Sequence, residues 1–99
     1  MTNEKVALIT GSARRVGAVI ARMLHNHHFN IIIHYRASAQ DAEKLRDEFN
    51  AQRPHSAISI ISDMNDTTAL PQLVQTAAKT WGRLDVLINN ASTFYPREE

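Results

Sequence analysis

Short apolar runs alternate along the chain with stretches in which apolar residues recur every three or four positions. Val6-Ala7-Leu8-Ile9 is the first run, closed by Thr10-Gly11. Val16, Val19, Ile20, Met23 and Leu24 follow at helical spacing. Ile31-Ile32-Ile33 is β-branched throughout and predicts a strand buried on both faces. Ser38 opens a second helix whose apolar face is Ala42, Leu45 and Phe49, and Pro54 closes that unit. Ala57-Ile58-Ser59-Ile60-Ile61 is a third strand. Thr67 or Thr68 starts a third helix, with Leu70, Leu73, Val74, Ala77, Ala78 and Trp81 on its inner side. Pro71 sits in its first turn, where the missing N–H costs little, and Gly82 ends it. Leu84-Asp85-Val86-Leu87-Ile88 is a fourth strand.

The order βαβαβαβ predicts an α/β fold: a Rossmann-type parallel sheet with right-handed crossovers and helices on both faces. Continuous apolar strands agree, because such a sheet is covered on both sides. The expected strand order is 3-2-1-4, with the fourth strand at an open apolar edge. Nearly every apolar position is read as core.

Composition narrows the function classes. At 99 residues the chain makes one small domain at most, and 43% hydrophobic with 21% charged residues is the balance of a globular chain. A net charge of +1 gives no bulk-charge case for nucleic acid or an anionic membrane. No cysteine is present, which removes disulfides, thiolate nucleophiles and Cys-based zinc sites. No apolar run approaches the roughly 20 residues of a membrane span. Met1-Thr2-Asn3-Glu4-Lys5 lacks the pattern of a secretory signal. A soluble, cytoplasmic protein is expected. His25-Asn26-His27-His28 closes the first helix, where cations suit the dipole, and no metal site is expected there.

The chemistry begins at Thr10-Gly11-Ser12-Ala13-Arg14-Arg15-Val16-Gly17, between the first strand and the first helix. A Rossmann sheet binds pyrophosphate at this place. Gly11 permits a tight turn, the helix N-terminus offers unpaired N–H groups, and Gly17 lets helix and strand approach. The plainer alternative is a βα turn with glycines for geometry alone. The second strand leads into His34-Tyr35-Arg36-Ala37-Ser38, with no carboxylate before Asp41. An acidic residue there would bond the ribose 2′-hydroxyl of NAD; an arginine and a hydroxyl instead suit a 2′-phosphate. Arg14 could reach the same phosphate from the glycine turn, so NADP(H) is the expected cofactor. The alternative for Arg36 is a surface charge at a helix start.

Thr10-Gly11 with Gly17, and Asn89-Asn90-Ala91 after the fourth strand, resemble the TGxxxGxG and NNAG motifs of the short-chain dehydrogenase/reductase family. Arg15 replaces the middle glycine, a substitution found in the pteridine reductase subgroup, and Ser92 replaces the glycine of NNAG. Asn89-Asn90-Ala91-Ser92-Thr93-Phe94-Tyr95-Pro96 resembles that subgroup's NNASSFYP segment, and the likeness runs from Val6 to Pro96. The resemblance implies cofactor contacts from Gly11, Ser12, Arg14, Arg15, Val16, Gly17, His34, Tyr35, Arg36, Ala37 (through its backbone), Ser38, Asp63, Met64, Asn90, Ala91 and Ser92. It implies a pterin slot shaped by Arg15, Ser92 and Phe94, with the heteroaromatic ring against the Phe94 face. Asp63 is also read as an N-cap or Asx-turn residue, and the two roles can coexist.

What the resemblance implies for activity is NADPH-dependent reduction of a pterin or dihydropterin C=N bond, by a homo-oligomer of the tetrameric kind common in the family. The family's catalytic Tyr-x-x-x-Lys pair does not occur: position 39 is Ala39, four after Tyr35, and position 99 is Glu99, four after Tyr95. No catalytic residue is therefore assigned in this chain. Residues 1–99 are expected to be the NADP-binding N-terminal portion of a longer reductase, inactive and self-associating when alone. The alternatives are a general short-chain carbonyl reductase, such as a 3-oxoacyl reductase, or a non-catalytic nucleotide-binding remnant.

Overall fold

The computed structural model describes residues 3–64 and 68–90. Four strands form one parallel sheet: β1 (Val6–Ile9), β2 (Asn30–Tyr35), β3 (Ala57–Ile61) and β4 (Val86–Ile88). Three helices link them in chain order: α1 (Arg15–Asn26), α2 (Ala39–Gln52) and α3 (Ala69–Thr80). The sheet order is β3-β2-β1-β4, the expected doubly wound arrangement. β1 is central, with Leu8 beside Ile32 on one side and Leu87 on the other.

Alternate residues of the strands feed two cores. Ala7, Ile9, Ile31 and Ile33 face α1 and α2 and pack with Ala18, Ala21, Ala42, Leu45 and Phe49. Val6, Leu8 and Ile32 face α3 and pack with Leu73 and Ala77, with Val74 and Trp81 closing over them. β1 and the three isoleucines of β2 are fully buried, which is why they read as unbroken apolar runs.

The first helix differs from its expected packing. Gly17, Ala18, Ala21 and His25 are its buried residues, and Ile20 and Leu24 pack at its flank. Val16, Val19 and Met23 are 64%, 58% and 54% exposed. The helix meets the sheet through its small side chains, so the large ones at i, i+3 and i+7 turn outward. β4 begins at Val86, two residues later than expected, because Asp85 is used differently. Its N–H donates to Val6 O and its carboxylate accepts the Val6 N–H, which locks the start of the β1–β4 pair. Arg83 holds that carboxylate through two nitrogens.

Helix ends carry local signals. Gly82 takes φ 79° just past α3. α1 ends in a Schellman motif: the His28 N–H donates to His25 O and the Phe29 N–H to Leu24 O. His28 therefore stands at φ 69°, where glycine is the usual residue. The histidine run thus serves the helix end, and no metal-binding cluster of three or more such side chains occurs among the described residues.

Candidate functional site

The site is built where β1, β2, β3 and β4 all end on the same side. Gly11 follows β1 at φ 63°, a left-handed conformation that turns the chain sharply toward α1. The turn is fastened from three directions. The Gly11 N–H donates to His34 Nδ1 at 2.9 Å. Asn90 Nδ2, just past β4, donates to Gly11 O at 3.2 Å. Ser12 exchanges two bonds with β2: its N–H donates to His34 O, and its Oγ accepts the His34 N–H. Thr10, fully buried, donates its N–H to Ile88 O and its hydroxyl to Asn89 Oδ1.

Gly17 explains how closely α1 approaches. A Cβ there would collide with Gly11 O, and would lie 2.7 Å from Ser12 Cα and 2.9 Å from Asn90 Nδ2. No side chain is compatible with that closeness. The first turn of α1 is consequently drawn against the glycine turn. Arg14, the N-cap, makes no side-chain cap bond, and the first turn holds no acidic residue. The amide groups of that turn have no intrahelical partner. Arg14, Arg15 and Val16 are exposed around them, so the helix end presents donors and positive charge outward.

Arg36 and Ala37 are exposed after β2, and Ser38 is half-buried as the N-cap of α2. The Ser38 side chain makes no cap bond. Arg14 reaches across to this segment and pairs with Asp41 in the first turn of α2, Nε to Oδ2 at 3.5 Å. Both side chains are more than half exposed. Asp63, exposed, follows β3 on the same side of the sheet. Met64 packs partly against the α3 core, and Tyr35 partly against the α1–α2 core.

His34 closes β2 inside the fold. Its side chain is 1% exposed and both ring nitrogens bond protein atoms. Nδ1 takes the Gly11 N–H, so the proton sits on Nε2, which donates to Ser62 O at 2.9 Å. Burial pushes its pKa below the ordinary 6.5, with the Ser62 carbonyl opposing. His34 thus lies beneath the glycine turn, held on both ring nitrogens by the protein's own atoms. Ser12 and Gly17 are buried beside it. Ser12 is fully buried with its N–H bonded to His34 O, and Gly17 is buried close against Gly11. Ala91, the expected cofactor contact and pterin-slot residue Ser92, and the expected pterin-slot residue Phe94 lie outside the described residues, as does Thr67.

The sequence pattern of the family described as short chain dehydrogenase matches residues 5–99. The chain belongs to the short-chain dehydrogenase/reductase family. It is 40% identical to Pteridine reductase 1 of Leishmania tarentolae, over 92% of this chain and 37% of that protein. It is 38% identical to Versicolorin reductase stcU of Emericella nidulans, over 88% of this chain and 33% of that one. It is 37% identical to Oxidoreductase UcpA of Salmonella typhimurium, over 88% of this chain and 32% of that one. The chain thus spans about a third of the length of the curated relatives it matches. As a short-chain dehydrogenase/reductase it is built on a nicotinamide-cofactor fold, and the glycine turn is the part of that fold just described. Two members of the arrangement were hidden in the sequence: Asp41 as a partner for Arg14, and the Ser62 carbonyl. His34 carried a signal of its own, as a polar residue continuing a buried isoleucine run.

Proposed function

We propose that this chain holds NADP(H) for a pteridine reductase-like oxidoreductase. The observation that carries the reading is the uncapped N-terminus of α1 with exposed Arg14 and Arg15, together with an exposed Arg36 after β2, whose strand ends on the same side of the sheet. The donor set fits the cofactor. Main-chain N–H groups of the first turn and the Arg15 guanidinium suit the pyrophosphate, while Arg14, Arg36 and Ser38 suit the ribose 2′-phosphate. Asp63 and Asn90 would flank the adenosine side. When bound, the dinucleotide supplies the hydride.

The chain's own residues bind and orient. Gly11 and Gly17 keep the turn close to α1, and Asn90 fixes the Gly11 carbonyl. Ser92 and Phe94 would present a hydroxyl and an aromatic face to a flat heteroaromatic substrate such as a pterin. The hydride goes to the carbon of a C=N bond and a proton to its nitrogen. In this reading the proton donor is the family's Tyr-x-x-x-Lys pair, which these 99 residues do not contain. The complete protein would act as a cytoplasmic homo-oligomer on a small molecule. None of the described helices is long and apolar enough to cross a membrane.

The similarity to Versicolorin reductase stcU supports a second reading, reduction of a carbonyl. Two measurements separate these. Fluorescence titration of the chain should show tighter binding of NADPH than NADH; equal affinity would remove the 2′-phosphate assignment. Pterin-dependent NADPH oxidation by the longest available form should proceed; turnover of ketones without pterins would select the carbonyl reading.

A further inference from the structure

We propose that His34 is a positioning residue, whose Nδ1 holds the Gly11 peptide so that the dinucleotide meets a preset turn. The inference rests on the cofactor reading of this site. The two peptide groups flanking Gly11 are pinned from different strands: the Gly11 N–H on the His34 ring, and the Gly11 carbonyl on Asn90 Nδ2. The next residue, Ser12, is bonded to the His34 main chain through its N–H and its Oγ. One residue of β2 therefore holds two consecutive turn residues. The same ring donates to Ser62 O beyond β3, so it joins the ends of three strands.

Direction matters in this clamp. A main-chain N–H can only donate, so Nδ1 must be the acceptor and Nε2 the donor. With the Gly11 and Ser12 N–H groups turned inward, the donors left for a ligand are those farther along, at the start of α1. His34 thus decides which amides the phosphate meets. An apolar side chain would fill the space and leave the Gly11 N–H without an acceptor. Among the described residues, the influences on the ring are its burial and the Ser62 carbonyl, with no charged side chain.

Two amide substitutions separate positioning from filling. In His34→Asn the amide reaches the place of Nδ1 and can accept from Gly11, with the Ser62 bond lost. In His34→Gln the amide reaches the place of Nε2 and can donate to Ser62, with the Gly11 acceptor lost. Both leave a small void, so both lower the melting temperature. NADPH affinity of the full chain should stay within about threefold of wild type in His34→Asn and fall about tenfold or more in His34→Gln. The wild type should also lose affinity on acidification relative to His34→Asn. The 2′-phosphate titrates alike in both, so the ratio reports the imidazole alone. Equal losses in the two variants, tracking their melting temperatures, would overturn the positioning role and leave the cofactor reading intact. A wild type that binds neither NADPH nor NADH would overturn the cofactor reading and this inference together.

Discussion

Arg15 stands at φ 57°, in the left-handed region that an arginine enters only against its Cβ. The family motif has glycine at this position, so the side chain is kept at the expense of backbone comfort. Such strain is stored where the side chain has work to do. His28 at φ 69° bears the same strain at the other end of α1, where the Schellman motif explains it without a ligand. The pair makes an internal control. Arg15→Gly and His28→Gly should each raise stability by about 0.5–1 kcal/mol, the relief of strain less the freedom glycine adds to the unfolded chain. Only Arg15→Gly should weaken NADPH binding, and chemical denaturation with cofactor titration reads both. Asp41 is the opposite case, a carboxylate that competes for Arg14. An exposed pair of this kind is worth at most about 1 kcal/mol, so Asp41→Asn should tighten NADPH by up to about fivefold. NADH, which lacks the 2′-phosphate, should be unaffected. A parallel gain for NADH would show that Arg14 acts on the pyrophosphate instead.

Helix α1 shows what a hydrophobic pattern can and cannot reveal. Its periodicity located the helix, but Val16, Val19 and Met23 face outward, against the general expectation that apolar residues form core. The contact is made by Gly17, Ala18 and Ala21 because the glycine turn must come close, and size, not polarity, decided the facing. Strands were easier to read: a sheet covered on both sides forces continuous apolar runs, and Ile31-Ile32-Ile33 admits little else. The glycine turn was legible as well, since Gly11 and Gly17 each have a geometric necessity. The clamp around it was not, because hydrogen bonds between residues 23 and 79 positions apart leave no local trace. Gly17→Ala should therefore be severe, costing about 3 kcal/mol or more, since the added Cβ meets backbone that cannot give way. Val19→Gln, two residues on, should change stability by no more than about 0.5 kcal/mol. Comparable losses for the two would contradict the packing of α1.

Across the molecule, two buried histidines bracket β3. His34 bonds Ser62 just after that strand, while His25 bonds Ser56 just before it, Nε2 to Oγ at 2.7 Å. His25 also stacks on Phe49, ring centroids 4.3 Å apart, and Arg53 donates to its carbonyl. Burial lowers its pKa, and the nearby Arg53 charge lowers it further, with weaker contributions from Gln52, Glu48 and His28. Both rings are thus neutral in the fold at a pH where unfolded histidine begins to take a proton. The unfolded state then binds more protons than the native one, so stability rises with pH through this window. It is fully present above the ordinary value of 6.5 and is lost as pH falls toward the lowered folded values. Glu48, held low by its bond to Arg22, titrates below its ordinary 4.5 and belongs to a more acidic window. Denaturant midpoints should accordingly fall between about pH 7 and pH 5, before the carboxylates contribute. In His34→Asn the slope over that interval should be shallower, with the remainder carried by His25. An unchanged slope would mean that the His34 ring takes up a proton as readily in the fold as in the unfolded chain, against its burial and its acceptance of the Gly11 N–H.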